Sequence, residues 1–107
     1  MKHVLPLEEI LYVEAVRMYS IFHTRNSARQ YVSCCNLGKV YRELPHNIFL
    51  KVHKSHIVNL HEIKCYQQGR SGKVILKNDV VITVAQRRKT ELLAWLKRMN
   101  RIEKAKA

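Results

Sequence analysis

Phe49-Leu50-Lys51-Val52-His53-Lys54-Ser55-His56-Ile57-Val58-Asn59 is the stretch whose pattern governs the reading of the whole chain. Apolar and β-branched residues dominate Ile48 to Val52 and Ile57 to Leu60, which predicts two short strands. Between them stands His53-Lys54-Ser55-His56, too polar for any core to accept unpaired. A surface loop joining two buried strands is the simplest reading.

Working towards the amino end, Ile10 to Glu14, Tyr19 to Phe22 and Tyr31 to Cys35 have the same strand-like composition, the last lying beyond Arg25-Asn26-Ser27-Ala28-Arg29. Three strands in a meander account for them. Asn36 then offers a helix N-cap, and Leu37, Val40, Tyr41 and Leu44 recur at the i, i+3, i+4, i+7 spacing of an amphipathic helix until Pro45 stops it.

Towards the carboxyl end, Ile63 to Gln68 and Lys73 to Leu76 flank Gly69-Arg70-Ser71-Gly72. Val74 to Leu76 connects to Val80 to Val84 through Lys77-Asn78-Asp79, whose Asn-Asp pair suits a tight turn. From Arg87 to Asn100, Leu92, Leu93, Leu96 and Met99 share one helical face with Trp95 nearby, and a basic tail follows. The expected fold is mainly β: small antiparallel sheets with one short internal helix and a C-terminal helix.

At 107 residues the chain has room for one domain of the usual size, about 100–150 residues, so residues 1–107 are taken as a single module. Its 47% hydrophobic content suffices for a core. Twenty Lys and Arg against 8 Asp and Glu leave a net charge of +12, a field that draws polyanions such as nucleic acid, an anionic membrane surface or acidic proteins.

No apolar run approaches the about 20 residues needed to span a bilayer, and Met1-Lys2-His3-Val4-Leu5-Pro6 lacks the apolar stretch of a secretory signal. A cytoplasmic protein without a membrane role is expected. The three cysteines are odd in number, and Cys34 and Cys35, adjacent on an expected strand, point to opposite faces. All three are assigned to packing, with no disulfide framework.

Catalysis needs a constellation of groups, yet acidic residues are sparse and neither a nucleophile elbow nor a Gly-rich phosphate loop is present. No enzyme activity and no cofactor are expected. His53-x-x-His56 with His61 invites a zinc test, but no helical spacing and no thiolate or carboxylate partner supports it, so no metal is expected either. Helix-turn-helix and zinc-finger signatures are missing as well; if such a chain reads DNA, it should do so with loops.

These residues resemble the LytTR family of bacterial DNA-binding domains. Ile10-Leu11-Tyr12-Val13-Glu14-Ala15 with Tyr19 is similar to the family's opening block, and Leu37 with Leu44 to its short-helix block. The stretch from Phe49 to Asn59 is similar, almost position for position, to the family's Phe-x-Arg-Val-His-Arg-Ser-Tyr/Phe-x-Val-Asn signature. The hairpin from Val74 to Val84 and the basic Arg87-Arg88-Lys89 complete a resemblance running from about Leu5 to Met99. Lys51 and Lys54 stand where the family favours arginine, His56 where it has an aromatic residue, and Ala85 where it often has serine.

The resemblance implies an elongated fold whose loops enter successive major grooves of double-stranded DNA. It also implies the output half of a transcriptional regulator of two-component type, dimeric on repeated sites, with a receiver or sensory domain upstream in the full-length protein. Three loops are implicated. In Val16-Arg17-Met18-Tyr19 the family reads a base near Tyr19, the alternative being an ordinary turn with a half-buried tyrosine. In His53-Lys54-Ser55-His56, Lys54 meets a base or phosphate and Ser55 a phosphate oxygen, while His53 contacts DNA or serves as a hydrogen-bonded structural histidine. In Ala85-Gln86-Arg87-Arg88, Arg87 matches a base contact, and arginine can bond guanine O6 and N7 together. Arg88, Lys89, Arg25 and Arg29 are phosphate contacts or plain solvated charge. Asn59 is taken as structural, its amide holding the turn after Val58.

Two other classes fit the charge. An RNA-binding or ribosome-associated module would stack bases on Tyr12, Tyr19, Tyr31 or Tyr66 exposed on a sheet face. A basic protein-interaction domain would show no salt-dependent retention on duplex DNA.

Overall fold

The computed structural model describes residues 5–26, 29–69 and 72–98. Arg70 and Ser71 of the expected glycine-flanked loop, Met99, Asn100 and the basic tail lie outside them. Among the described residues the strands are β1 (Ile10–Val16), β2 (Tyr19–Thr24), β3 (Gln30–Ser33), β4 (Phe49–His53), β5 (His56–Asn59), β6 (Ile63–Gln67), β7 (Lys73–Leu76) and β8 (Val81–Thr83). Helix α1 (Leu37–Glu43) follows β3 and α2 (Lys89–Arg98) closes the described chain. Short 3-10 turns occupy Leu7–Glu9, Leu60–Glu62 and Gln86–Arg88.

The strands form two antiparallel sheets, a five-stranded one in the order β3-β2-β1-β5-β4 and a three-stranded one in the order β6-β7-β8. This is the mainly-β architecture expected, with its short internal helix and its C-terminal helix. The described molecule measures 47 × 25 × 22 Å, clearly elongated.

Each face of the large sheet has its own core. Val13 pairs with Phe22 on one side and Ile57 on the other, and this face buries Ile10, Val13, Phe49 and Ile57 against Leu37 and Val40 of α1. The opposite face carries Leu11, Leu50, Val52 and Val58 onto the small sheet and onto Leu92 and Leu96 of α2. A register irregularity between Ile10 and Tyr12 turns the neighbours Leu11 and Tyr12 towards this same second core, against strict alternation. Each fully buried large side chain contributes about 1.5–3 kcal/mol, so the doubly covered sheet carries most of the apolar stabilisation.

Local chemistry explains the ends of the elements. The Asn36 side chain accepts from the Lys39 amide at 2.9 Å and opens α1, which closes at Leu44 ahead of Pro45. Asp79 takes a positive φ of 71° in the β7–β8 turn and donates its amide to the Leu76 carbonyl at 2.7 Å. Asn59 is 2% exposed; its Oδ1 accepts from the His61 amide, and its Nδ2 donates across to the Ile10 carbonyl at 2.8 Å. The amide therefore holds the turn, as its sequence suggested, and also ties the start of β1 to the end of β5. Arg25 reaches the buried carboxylate of Glu62 at 2.6 Å, linking the two sheets.

Several boundaries depart from the sequence reading. His53 and His56 pair as the last rungs of β4 and β5, so the loop is a hairpin with only Lys54 and Ser55 between strands. β3 ends at Ser33, which leaves Cys34 exposed beyond it rather than packed. β8 is shorter than expected, Val81–Thr83. The last α-helix begins at Lys89, because Gln86–Arg88 form a tighter 3-10 turn that starts at Ala85 without a side-chain cap.

Candidate nucleic-acid interface

Antiparallel pairing decides where the loops go. β1 runs against both β2 and β5, and β5 against β4, so the β1–β2 turn and the β4–β5 turn emerge at the same end of the large sheet. Two backbone hydrogen bonds lock the arrangement: Ala15 donates to the Ser55 carbonyl at 2.8 Å, and Ala85 donates to the Val52 carbonyl at 2.7 Å. The first joins the two hairpin turns. The second lays the segment after β8 along the open edge of β4. Three basic segments from distant parts of the chain thus stand in one row.

The β1–β2 turn consists of Arg17 and Met18, with Arg17 at φ 57°. That left-handed conformation closes a two-residue hairpin and lifts both side chains into solvent. Met18 is 76% exposed and Tyr19 48%, an apolar tip unusual on so basic a surface.

In the β4–β5 turn, the Ser55 amide donates to His53 Nδ1 at 3.1 Å. A ring nitrogen that accepts from an amide carries no proton, so the neutral His53 ring holds its proton on Nε2. Lys54 is exposed at the tip and Ser55 half-buried. His56 lies behind them, half-buried on the sheet face, tilted against Tyr12 and His53 with ring centroids 6.1 and 5.7 Å away. Its Nδ1 is buried without a hydrogen-bond partner among the described residues, and burial is the main cause holding its pKa below the usual histidine value. Glu14 opposes that shift, while His53 and His23 reinforce it.

Beside His56 the row continues across the sheet. Tyr12 stacks on His23 at 4.2 Å, and His23 meets the Glu14 carboxylate at 2.9 Å. Burial first, and Glu14 second, raise the Tyr12 phenol above its ordinary pKa. His61 is elsewhere, edge-on to Trp95 at 5.5 Å. Among the described residues no group of three or more His, Cys, Asp or Glu side chains is arranged to hold a metal.

In the third segment Arg87 is exposed, and Arg88 is half-buried with Nη1 3.5 Å from Glu91. Arg87, Arg88 and Ala85 line a cleft together with Lys51, His53 and Lys54 of the second segment. The structure therefore gathers Arg17, Met18, Tyr19, His53, Lys54, Ser55, Arg87 and Arg88 along one end. His56 is half-buried on the sheet face with its ring 5.7 Å from that of His53, and the Lys89 stem lies over Gly72. Lys51, inside the same stretch of sequence, is a cleft residue that sequence reasoning misses. Its signal was the basic position preceding Val52, which reads as a half-buried strand residue until the 85–88 segment is laid beside it.

The fold, with its loops displayed at one end of a two-sheet β-domain, defines a class. A solved structure superposes on it with a TM-score of 0.75 at 20% identity, covering 86% of this chain and 84% of the other. That structure is the LytTr DNA-binding domain of a Bacillus cereus protein assigned as a methyl-accepting/DNA response regulator. The family model of the LytTr DNA-binding domain matches residues 2–97, and the chain belongs to this family. No curated protein sequence matches it significantly.

Proposed function

We propose that the domain binds specific double-stranded DNA sites through its three segments and serves as the output half of a transcriptional regulator of response-regulator type. The observation that carries this is the row of basic segments fastened by the Ala15–Ser55 and Val52–Ala85 hydrogen bonds. Neighbouring strands lie about 5 Å apart, so the β1–β2 turn and the segment beyond β4 are separated by roughly 15–20 Å. A major groove is about 12 Å wide. The two outer segments are thus too far apart for one groove; successive major grooves on one face recur about every 34 Å, so reaching both takes the length of the Arg17, Met18 and Arg87 side chains and a bend in the duplex, with the Lys54 turn facing the backbone between them.

Each outer segment has chemistry for base edges. Met18 and Tyr19 offer apolar contact of the kind a thymine methyl takes, and Arg87 offers paired donors for guanine O6 and N7. Lys54, Ser55 and Arg88 suit phosphate oxygens. One good bidentate contact discriminates by about 1–3 kcal/mol, whereas specific sites exceed non-specific ones by about 4–10 kcal/mol. A single copy with so few reading side chains falls short, which favours two copies on a repeated site. A receiver or sensory domain upstream in a full-length regulator, acting in the cytoplasm, completes this reading; no helix among the described residues is long and apolar enough to cross a membrane.

An RNA-stacking platform is less well served. Tyr66 is 3% exposed in the core and the Tyr12 ring is covered by His23, which leaves no row of open aromatic faces. Selection of bound sites from a random duplex library, followed by competition with single-stranded DNA and RNA at physiological salt, tests the proposal. A defined site preferred over both competitors is expected; equal affinity for all three polymers would defeat it.

A further inference from the structure

The cleft between the second and third segments is a feature that the loop-by-loop reading leaves unused. It has a volume of about 270 Å³ and is lined by Lys51, His53, Lys54, Ala85, Arg87 and Arg88. A water molecule's share of liquid volume is about 30 Å³, so the cleft admits a phosphate group with part of its hydration shell. No carboxylate lines it. Arg88 shares its charge with Glu91 at 3.5 Å, but among the described residues Lys51, Lys54 and Arg87 enter no ion pair. Three uncompensated cations held around one hollow repel each other and are relieved by an anion.

The hollow is also built. Its two sides are tied together by the Ala85–Val52 hydrogen bond at 2.7 Å, and Val52 is fully buried. His53, on its wall, has Nδ1 occupied by the Ser55 amide, so its remaining ring nitrogen is a proton donor in the neutral state. Every polar side chain around the cleft is therefore a donor, which disfavours a cation and suits an anion rich in acceptor oxygens.

We propose that this cleft seats one phosphodiester of the DNA backbone, with the half-buried Lys51 among its cations, and thereby sets the register between the Lys54 turn and the Arg87 segment. This rests on the DNA-binding reading and adds to it a named ligand group and a positioning residue, Lys51, that touches phosphate and no base.

Two arms test it. In the first, the chain is titrated with dimethyl phosphate and followed by amide chemical shifts. Saturable changes are expected at Lys51, His53, Lys54 and residues 85–88, weakened several-fold in Lys51→Gln and retained in Lys51→Arg. Shifts spread evenly over remote lysines such as Lys64 and Lys77, or an unchanged Lys51→Gln, overturn the proposal. In the second arm, Lys51→Gln should weaken binding to the preferred duplex and to its single-base variants by the same factor and lower the salt slope by about 1. A changed base preference, or an unchanged slope, overturns it. Should Lys51→Gln not fold, Lys54→Gln at the exposed turn takes its place in the titration. Saturation by dimethyl phosphate without any duplex binding would uphold the phosphate site while removing the DNA reading; sequence-specific duplex binding with an inert cleft would do the reverse.

Discussion

The amide of Ala15 donates to the carbonyl of Ser55 at 2.8 Å, beyond the last paired rung between β1 and β5. The bond carries the β1–β5 pairing onward into the β4–β5 turn and makes two hairpin tips one surface. With the Val52–Ala85 bond on the far side, the tip of β4 is braced from both directions. Side chains on such a frame keep a fixed spacing.

Arg87 is the side chain whose loss should change specificity rather than affinity alone. Arg87→Ala is expected to cost about 1–3 kcal/mol on the preferred site and to relax preference at one base position. Binding measured on that site and on its single-base variants checks this. A uniform loss across all variants would mark Arg87 as a phosphate contact instead.

Ala85 opens the Gln86–Arg88 turn with extended backbone, φ −65° and ψ 147°, and no side chain that can cap. A serine hydroxyl there can accept from the amides that follow. Ala85→Ser should therefore stabilise the domain by about 0.5–2 kcal/mol. Denaturant unfolding measures it; no gain would mean the serine side chain turns away from the helix start.

His56 predicts an acid-sensitive stability. Its folded pKa lies below the ordinary value of 6.5, chiefly through burial, so the unfolded chain takes up the proton first. Stability is fully present above about pH 6.5 and falls as the pH drops from there through the lowered folded pKa. Glu14 moderates the effect, whereas His53 and His23 sharpen it. His56→Phe keeps the ring against Tyr12 and removes a buried nitrogen without a partner, which should stabilise by about 1 kcal/mol and flatten the pH dependence below 6.5. Melting curves at pH 7.5 and 5.5 for both proteins decide it; identical slopes would assign the acid sensitivity to other groups.

Gly72 tolerates no side chain. A Cβ there would fall 2.1 Å from the Tyr66 hydroxyl oxygen and 2.9 Å from Lys89 Cε. Tyr66 is buried in the core shared with α2, so the ring cannot step aside cheaply. Gly72→Ala should destabilise by about 1–3 kcal/mol. A second variant, Gly72→Ala with Tyr66→Phe, should recover part of the loss, since it removes the nearest clashing atom; no recovery would place the strain in the backbone.

Most of the elements were legible in sequence because their causes are local. Asn36 and Pro45 mark the ends of α1 by capping and by ring sterics, and Asn78-Asp79 mark a turn by tolerating positive φ. Boundaries slipped where pairing with a distant strand overrides local polarity. His53 and His56 look like loop residues, yet the β4–β5 ladder extends through them, and Tyr12 and His53 supply ring contacts that make the half-buried His56 acceptable. Arg87 looked helical by periodicity, but Gln86–Arg88 wind more tightly where Ala85 is drawn onto β4.

By itself the amino-acid sequence determined the β-rich class, the two helices, the basic character and, through Phe49 to Asn59, the resemblance to a DNA-binding family. These follow from side-chain periodicity, turn chemistry and net charge, all properties of neighbours along the chain. Long-range pairing is what brings Arg17, Lys54 and Arg87 to one end of the large sheet, sets Lys51 in a cleft with the Arg87 segment, and leaves His56 half-buried against Tyr12 and His53. Those relationships depend on strand order and on hydrogen bonds between residues far apart in sequence, whose registers are selected by two buried cores rather than by any local pattern.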